Sequence, residues 1–310
     1  MKNTFLRVCF SVLTAGMAAL TSCAAVNTNN PGVIFTPGAP PPDRDALNFF
    51  ARAGISYRQS EARAIGRLVY DLKQANLWTN LDAIYPCVGG TSNSCAQNLI
   101  STNWGIAWNG TPQFLRSGVK NSGTDWGDTG YKQSTRGTLT NDFHLYAWAE
   151  LEPIGVNHSG IIIGNFNAFD SGINNEAAGG LVSTGSGSPI ATNYFSGFFL
   201  SYTNPVGTLN LITQQRGNAI SIRSGNSCSL IGDQLITATL AIYQTPTNTV
   251  KLLGDPGVGF PARAAGTFRG TLRAASFGRS LTYSQATNYF AIMNRFQASL
   301  SPKTQILTPP

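Results

Sequence analysis

Charge is what this chain has least of. Asp, Glu, Lys and Arg together make up 11% of its 310 residues, against roughly a quarter in an average globular protein. Histidine occurs twice, as His144 and His158, and no cysteine pair stands at zinc-ligand spacing from either. That excludes a structural zinc site. There is no Gly-x-Ser-x-Gly elbow to seat a hydrolase nucleophile. Glycine-rich runs such as Gly185-Ser186-Gly187 lack the lysine and helix that complete a phosphate cradle. The net charge is +7, and Lys2 and Arg7 supply two of those charges. The other basic residues are dispersed. Their densest group, Arg44 to Lys73, is interrupted by Asp45, Glu61 and Asp71 and reads as a solvated helix face. Nucleic-acid binding calls for a concentrated patch or a known motif, so no nucleic-acid partner is expected.

Apolar residues, in contrast, reach 42%, with 33 glycines and 16 prolines among the rest. A packed core is feasible, and the turn residues suit a β-rich domain outside the cytoplasm. The first segment is of another kind. Lys2 and Arg7 precede a mainly apolar run from Val8 to Leu20, too short for a comfortable membrane span. It ends in Leu20-Thr21-Ser22-Cys23, which resembles a bacterial lipobox. Small residues before the cysteine suit a narrow peptidase pocket, and the Cys23 thiol is then the acyl acceptor. An ordinary secretory leader cut near Ala24 or Ala25 is the alternative. Either leads out of the cytoplasm. Ala24 after the cysteine, where no aspartate stands, favours an outer-membrane lipoprotein in a two-membrane host.

The expected division follows. Residues 1–23 are leader and lipobox, and 24–44 form a Pro/Asn-rich tether with Pro40-Pro41-Pro42. Residues 45–80 form a helical segment and 81–302 a β domain. Cys87 and Cys95, with Gly89-Gly90 between them, are expected to bridge in an oxidising compartment. Cys228 is left over as a buried thiol.

Ile65, Leu68, Val69 and Leu72 recur at helical spacing. Gly54 closes a shorter apolar turn before them, and Ser56 with Gln59 fits a capping box. Thr282 to Leu300 reads as a closing helix with a capping box at Thr282 and Gln285. Its apolar face is Ala286, Tyr289, Phe290, Met293, Phe296 and Leu300. The clearest strand is Asp142 to Pro153. Phe143, Leu145, Ala147, Ala149 and Leu151 share one face, and His144, Tyr146, Trp148 and Glu150 the other. Shorter strands are expected at 103–108, 159–164, 195–202, 208–213, 219–223, 235–243, 250–253 and 273–277. Residues 125–131 read as a loop, and the glycine- and serine-rich 174–189 as a mobile surface loop. Many short strands with regular turns predict a mainly β fold, a two-sheet antiparallel sandwich with helices at both ends.

Three stretches together resemble the concanavalin A-like lectin/glucanase superfamily, in its laminin G-like jelly-roll branch. They are Phe143 to Pro153 with Trp148 in mid-strand, Leu235 to Asp255 as a strand pair turning at Pro246 to Asn248, and Ala275-Ser276-Phe277-Gly278-Arg279-Ser280-Leu281-Thr282 before a helix. The leading helix, Tyr85-Pro86-Cys87-Val88-Gly89-Gly90 and Gly127-Asp128-Thr129-Gly130 resemble a bacterial and phage subgroup found in surface or virion-associated proteins. Cys87, where an aromatic or aliphatic residue is more typical, departs from the pattern, as does the loop at Asn174.

The resemblance implies a jelly-roll that either binds glycan or another envelope partner without chemistry, or cleaves glycosides. Cleavage needs an acid and a nucleophile on one strand face. Glu150 and Glu152 come nearest, but Trp148 and Ile154 occupy the flanking alternate positions, so a third acid is missing. No catalytic residue is therefore assigned, and Glu150 and Glu152 stand as the alternative. Sugar binding uses an aromatic platform with hydrogen-bonding neighbours. Asp125, Trp126, Asp128 and Tyr131 form one such set, and Tyr146 and Trp148 another. Core packing is the competing role for Trp148. Asp125 and Asp128 also offer oxygens to calcium, but without a third acid close by no cofactor or metal is assigned. A structural or adhesion protein of phage-related kind is the third reading. Membrane contact is expected through the lipid anchor only.

Overall fold

The structure, a computed structural model, describes residues 6–10, 22–26, 34–35, 43–54, 58–122, 125–134, 142–151, 159–166, 178–184, 194–200, 208–210, 216–225, 227–232, 235–239, 249–254 and 268–300. Near the start, Leu6–Phe10 (β1), Ser22–Val26 (β2) and Ile34–Phe35 (β3) pair as a small antiparallel sheet that sets Cys9 opposite Cys23. An apolar run satisfies a strand period as readily as a leader's apolar stretch, and periodicity alone does not separate them.

Helix α1 (Arg44–Ala53) begins at Asp43, whose side chain accepts from the Asp45 N–H at 2.9 Å. It stops at Gly54, which takes the left-handed conformation at φ 65°. Glycine enters that region without a Cβ penalty. Helix α2 (Gln59–Gln74) buries Ile65, Leu68, Val69 and Leu72, as their spacing predicts. Ser56 lies outside the described residues. The cap is made instead by Glu61, which accepts from the Arg58 N–H at 2.9 Å. The same carboxylate takes a two-pronged bond from Arg116, at 2.9 and 2.6 Å, and so ties the helix to the sheet edge.

A 3-10 turn (Trp78–Asn80) leads into β4 (Leu81–Tyr85), and a short helix α3 (Ser92–Ala96) follows. The remaining strands are β5 (Ala107–Asn109), β6 (Gln113–Leu115), β7 (Gly118–Ser122), β8 (Trp126–Lys132), β9 (Asp142–Leu151), β10 (Ser159–Phe166), β11 (Ala178–Thr184) and β12 (Tyr194–Leu200). Then come β13 (Thr208–Asn210), β14 (Arg216–Ser224), β15 (Ser227–Ile231), β16 (Leu235–Thr239), β17 (Thr249–Leu252) and β18 (Arg269–Gly278). The last element is α4 (Tyr283–Leu300). Among the described residues no helix is long and apolar enough to cross a membrane.

Two antiparallel sheets result. One runs β16-β15-β14-β9-β18-β7-β6, with β4 also paired to β18, and the other β13-β12-β11-β10-β17-β8-β5. The core between them holds Phe143, Leu145, Ala147 and Ala149 from β9, with Tyr131, Ile163, Leu252, Leu272 and Phe277. A second core lies on the other face of the first sheet. There Tyr146 and Trp148 meet Phe50, Leu68, Tyr289, Met293 and Phe296 from the three long helices. The fold is thus a two-sheet antiparallel sandwich with a helical layer on one side. The alternation along β9 builds both cores at once.

Gly278 explains the Gly-Arg segment in physical terms. A Cβ there would collide with the Asn80 carbonyl and stand 2.9 Å from Leu81 Cα. The backbones approach that closely because the Arg279 N–H donates to Asn80 O at 2.8 Å. Thr282 and Gln285 then cap α4 reciprocally, at 2.9 and 3.2 Å.

Several expectations are corrected. Residues 178–184, read as part of a mobile loop, form β11, held on one edge by β10 and on the other by β12. Residues 126–131, read as a loop, lie in β8. Strands β6, β7 and β15 had no reading at all. In β7, β8, β11 and β15 ladder bonds on both edges outweigh the low strand preference of glycine and serine, while β6 pairs with β7 alone at the sheet edge. The stretch 235–255 is no strand pair: β16 ends the first sheet and β17 lies inside the second.

Candidate functional site

The residues singled out as sugar ligands separate into two groups. Tyr146 is fully buried and Trp148 is 7% exposed, beneath the helices. The Tyr146 ring meets Tyr289 edge-on at 4.9 Å. Trp148 lies under the Arg273 guanidinium, 5.4 Å from the ring centre. Neither ring offers a face to a ligand, because α4 covers the strand face that carries them. Tyr131 is also core. Its hydroxyl donates to Asp82 Oδ2 at 3.0 Å, and its ring packs on Phe277 and Trp104. Asp125 is buried and accepts from the Thr111 N–H at 2.8 Å. Its backbone is held by Asn121, whose amide donates to Asp125 O at 2.6 Å and to Leu253 O at 2.9 Å.

Trp126 and Asp128 remain. Strand β8 alternates between the core and the outside, and these two are half-exposed on its outer face while Gly127 and Thr129 are buried. The ladders fix their neighbours: Asn109 of β5 opposite Trp126, and Ala107 of β5 and Lys251 of β17 on either side of Asp128. Directly opposed residues point to the same face. Lys251 Nζ sits 5.2 Å from the centre of the Trp126 ring, a cation–π distance. Asp128 Oδ1 accepts from the Gly130 N–H at 2.8 Å, within the irregular stretch where the register of β8 against β17 shifts. Gly127 permits this arrangement from below, since a Cβ there would run into Trp108 at 2.8 Å. The outer face of the second sheet therefore presents an indole, a carboxylate, an ammonium and the Asn109 amide in one patch. Lys251 and Asn109 were missed in the sequence because they come from distant strands. The alternation Thr249-Val250-Lys251-Leu252 does mark Lys251 as outward-facing.

Glu150 lies on the helix side, bound to Arg273 at 2.8 Å. Its carboxylate is thus already engaged, and Glu152 lies outside the described residues. Asp125 and Asp128 do not converge on a common point, one being buried and the other outward. Among the described residues no group of three His, Cys, Asp or Glu side chains is placed to hold a metal. The bridge expected between Cys87 and Cys95 is absent: both are buried free thiols. Cys87 Sγ donates to Tyr85 O at 3.6 Å and Cys95 Sγ to Val88 O at 3.7 Å. Burial pushes both thiols up, Cys95 to about 12. Each already has an acceptor in the core, so burial satisfies them without oxidation. Cys23 lies in β2, and the side chain of Cys228 lies outside the description.

No family model matches the chain, and no curated protein matches it. Among solved structures, Trypanosoma rangeli sialidase in complex with sialic acid is similar at 12% identity and a TM-score of 0.49, over 76% of this chain and 39% of that one. Domain 4 of AbnA, a GH43 extracellular arabinanase from Geobacillus stearothermophilus, in complex with arabinotriose, is similar at 13% identity and a TM-score of 0.45, over 68% of this chain and 98% of the domain. The chain thus spans about two fifths of the sialidase. At such identities and scores the likeness says nothing of activity, and the architecture above rests on the chain's own strand pairing.

Proposed function

We propose that this is a surface protein of the cell envelope whose sandwich binds glycan on the outer face of the second sheet. The supporting observation is the half-exposed Trp126 ring, with the Lys251 ammonium 5.2 Å from its centre and Asp128 on the same face. A pyranose has an apolar face that stacks on an indole and a hydroxyl edge that seeks donors and acceptors around it. Lys251 and the Asn109 amide donate, and Asp128 accepts. In this reading the chain is a lectin-like member of the concanavalin A-like superfamily, and binding involves no chemistry. Residues 1–23 direct export, Cys23 carries the acyl anchor in the outer membrane, and 24–44 hold residues 45–302 off the bilayer.

A glycan array probed with purified Cys23→Ser protein tests the binding, with Trp126→Ala as the control. Selective signals lost in the variant support it. An array blank across all sugars, or one unchanged by the substitution, contradicts it. Mass spectrometry of membrane fractions tests the anchor: an acylated Cys23 as first residue supports it, and a free mature start at Ala24 or beyond refutes it.

A further inference from the structure

Helices α2 and α4 enclose a groove of about 360 Å³ on the outside of the helical layer, remote from the Trp126 face. Its walls carry Arg63, Arg67 and Arg295, with Ser60 and Ser299. From Ser60 to Asp71 it follows α2 for about 16 Å at the helical rise. Two members of the basic cluster that reads in sequence as a solvated helix face, Arg63 and Arg67, thus meet Arg295 of α4 around one channel. Asp71, 8% exposed, sets the geometry. It takes Arg67 Nε at 2.8 Å and Arg295 NH2 at 3.3 Å, bridging the two helices. Each guanidinium carries five N–H donors, and Asp71 engages a minority of them. Arg63, one turn before Arg67, makes no ion pair or hydrogen bond among the described residues. Three guanidiniums against one carboxylate leave the groove cationic. Ala64, Leu68, Ile292 and Phe296 form its floor, yet none is more than 4% exposed.

We propose that this groove binds an acidic polysaccharide, its carboxylate or sulfate groups held by Arg63 and by the free donors of Arg67 and Arg295. A guanidinium fork matches such planar or tetrahedral oxyanions in two-pronged fashion. The serine hydroxyls serve the sugar edge. The proposal is independent of the Trp126 reading, being carried by other residues on the other side of the sandwich.

Binding of the protein to polygalacturonate, heparin and neutral dextran, followed by titration calorimetry at low and moderate salt, tests it. Polygalacturonate or heparin binds, dextran does not bind at this groove, and added salt weakens the complex. Arg63→Gln lowers affinity by about tenfold, the value of one charge-assisted contact. Arg63→Glu lowers it further. Arg63 has no ion pair or hydrogen bond among the described residues, so both charge variants keep the parent melting temperature. The proposal is overturned if neither polyanion binds, if Arg63→Glu binds them as the parent does, or if Arg63→Glu instead abolishes binding to phosphatidylglycerol vesicles that the parent prefers to both polyanions.

Discussion

Tyr146 of β9 and Tyr289 of α4 meet edge-to-face, their ring centres 4.9 Å apart at an angle of 87°. The Tyr289 hydroxyl reaches past this contact and donates to Ser276 Oγ of β18 at 2.7 Å. The pair is where the closing helix is fastened to the sheet. It also explains why the aromatic face of the central strand is not a ligand surface.

Removing only the hydroxyl, in Tyr289→Phe, leaves Ser276 buried without that partner and costs about 1–2 kcal/mol. Removing the ring, in Tyr289→Ala, opens a cavity against Tyr146 and costs about 3–5 kcal/mol. Urea unfolding of both variants gives the difference. Equal losses would show that the hydroxyl, not the packed ring, fastens α4.

Gly278→Ala places a methyl against the Asn80 carbonyl and Leu81 Cα. Both obstacles are backbone, so no side chain can swing aside. The expected loss is about 1–3 kcal/mol, as for an overpacked core site. Thermal melting checks it, and an unchanged midpoint contradicts the close approach of β18 to the turn before β4.

The parts that could be read from sequence are those with local periodicity. Helix α2 announces itself by Ile65, Leu68, Val69 and Leu72, α4 by its reciprocal Thr282 and Gln285 cap, and β9 by strict alternation. Strands β8 and β11 could not be read in this way. Their glycines weaken the local signal, and their strand state comes from pairing on both edges, with β5 and β17 for β8 and with β10 and β12 for β11. The site divides on the same line. Trp126 and Asp128 were recognisable from their chemistry. Which of the nearby groups face outward depends on register, and register separates them from Asp125 and Tyr131. Lys251 joins only because β17 pairs with β8. Cys87 and Cys95 show the opposite error. Their short separation suggested a bridge, but the surrounding core gives each thiol its own carbonyl acceptor.

Those thiols set a chemical prediction. Cys87 and Cys95 stay unmodified by a soluble thiol reagent at pH 8 in the folded protein and react once it is denatured. Intact-mass measurement counts the adducts. A native-state adduct at either position, or a mass two protons low from a bridge between them, contradicts their burial as free thiols.

Stability also falls in alkali. Burial raises Cys87, Cys95, Tyr85, Tyr146 and Tyr289 in the folded state. For Cys95 the rise is from 9.0 to about 12. Above the unfolded value the unfolded chain binds fewer protons, so the slope of stability with pH is negative. The thiol contribution is complete below about pH 9 and is lost progressively as pH climbs toward 12. Denaturant midpoints measured between pH 7 and 11 check the sign. A flat profile above pH 9 refutes it.

The most direct test of the account is tryptophan fluorescence of the protein titrated with oligosaccharides chosen from the array, beside Trp126→Ala and Lys251→Ala. The predicted result is a saturable change in the parent and at least a fivefold weaker complex in Trp126→Ala, which forfeits about 1–3 kcal/mol of stacking and polar contact, with both variants folded as the parent. Undiminished binding by Trp126→Ala would contradict it.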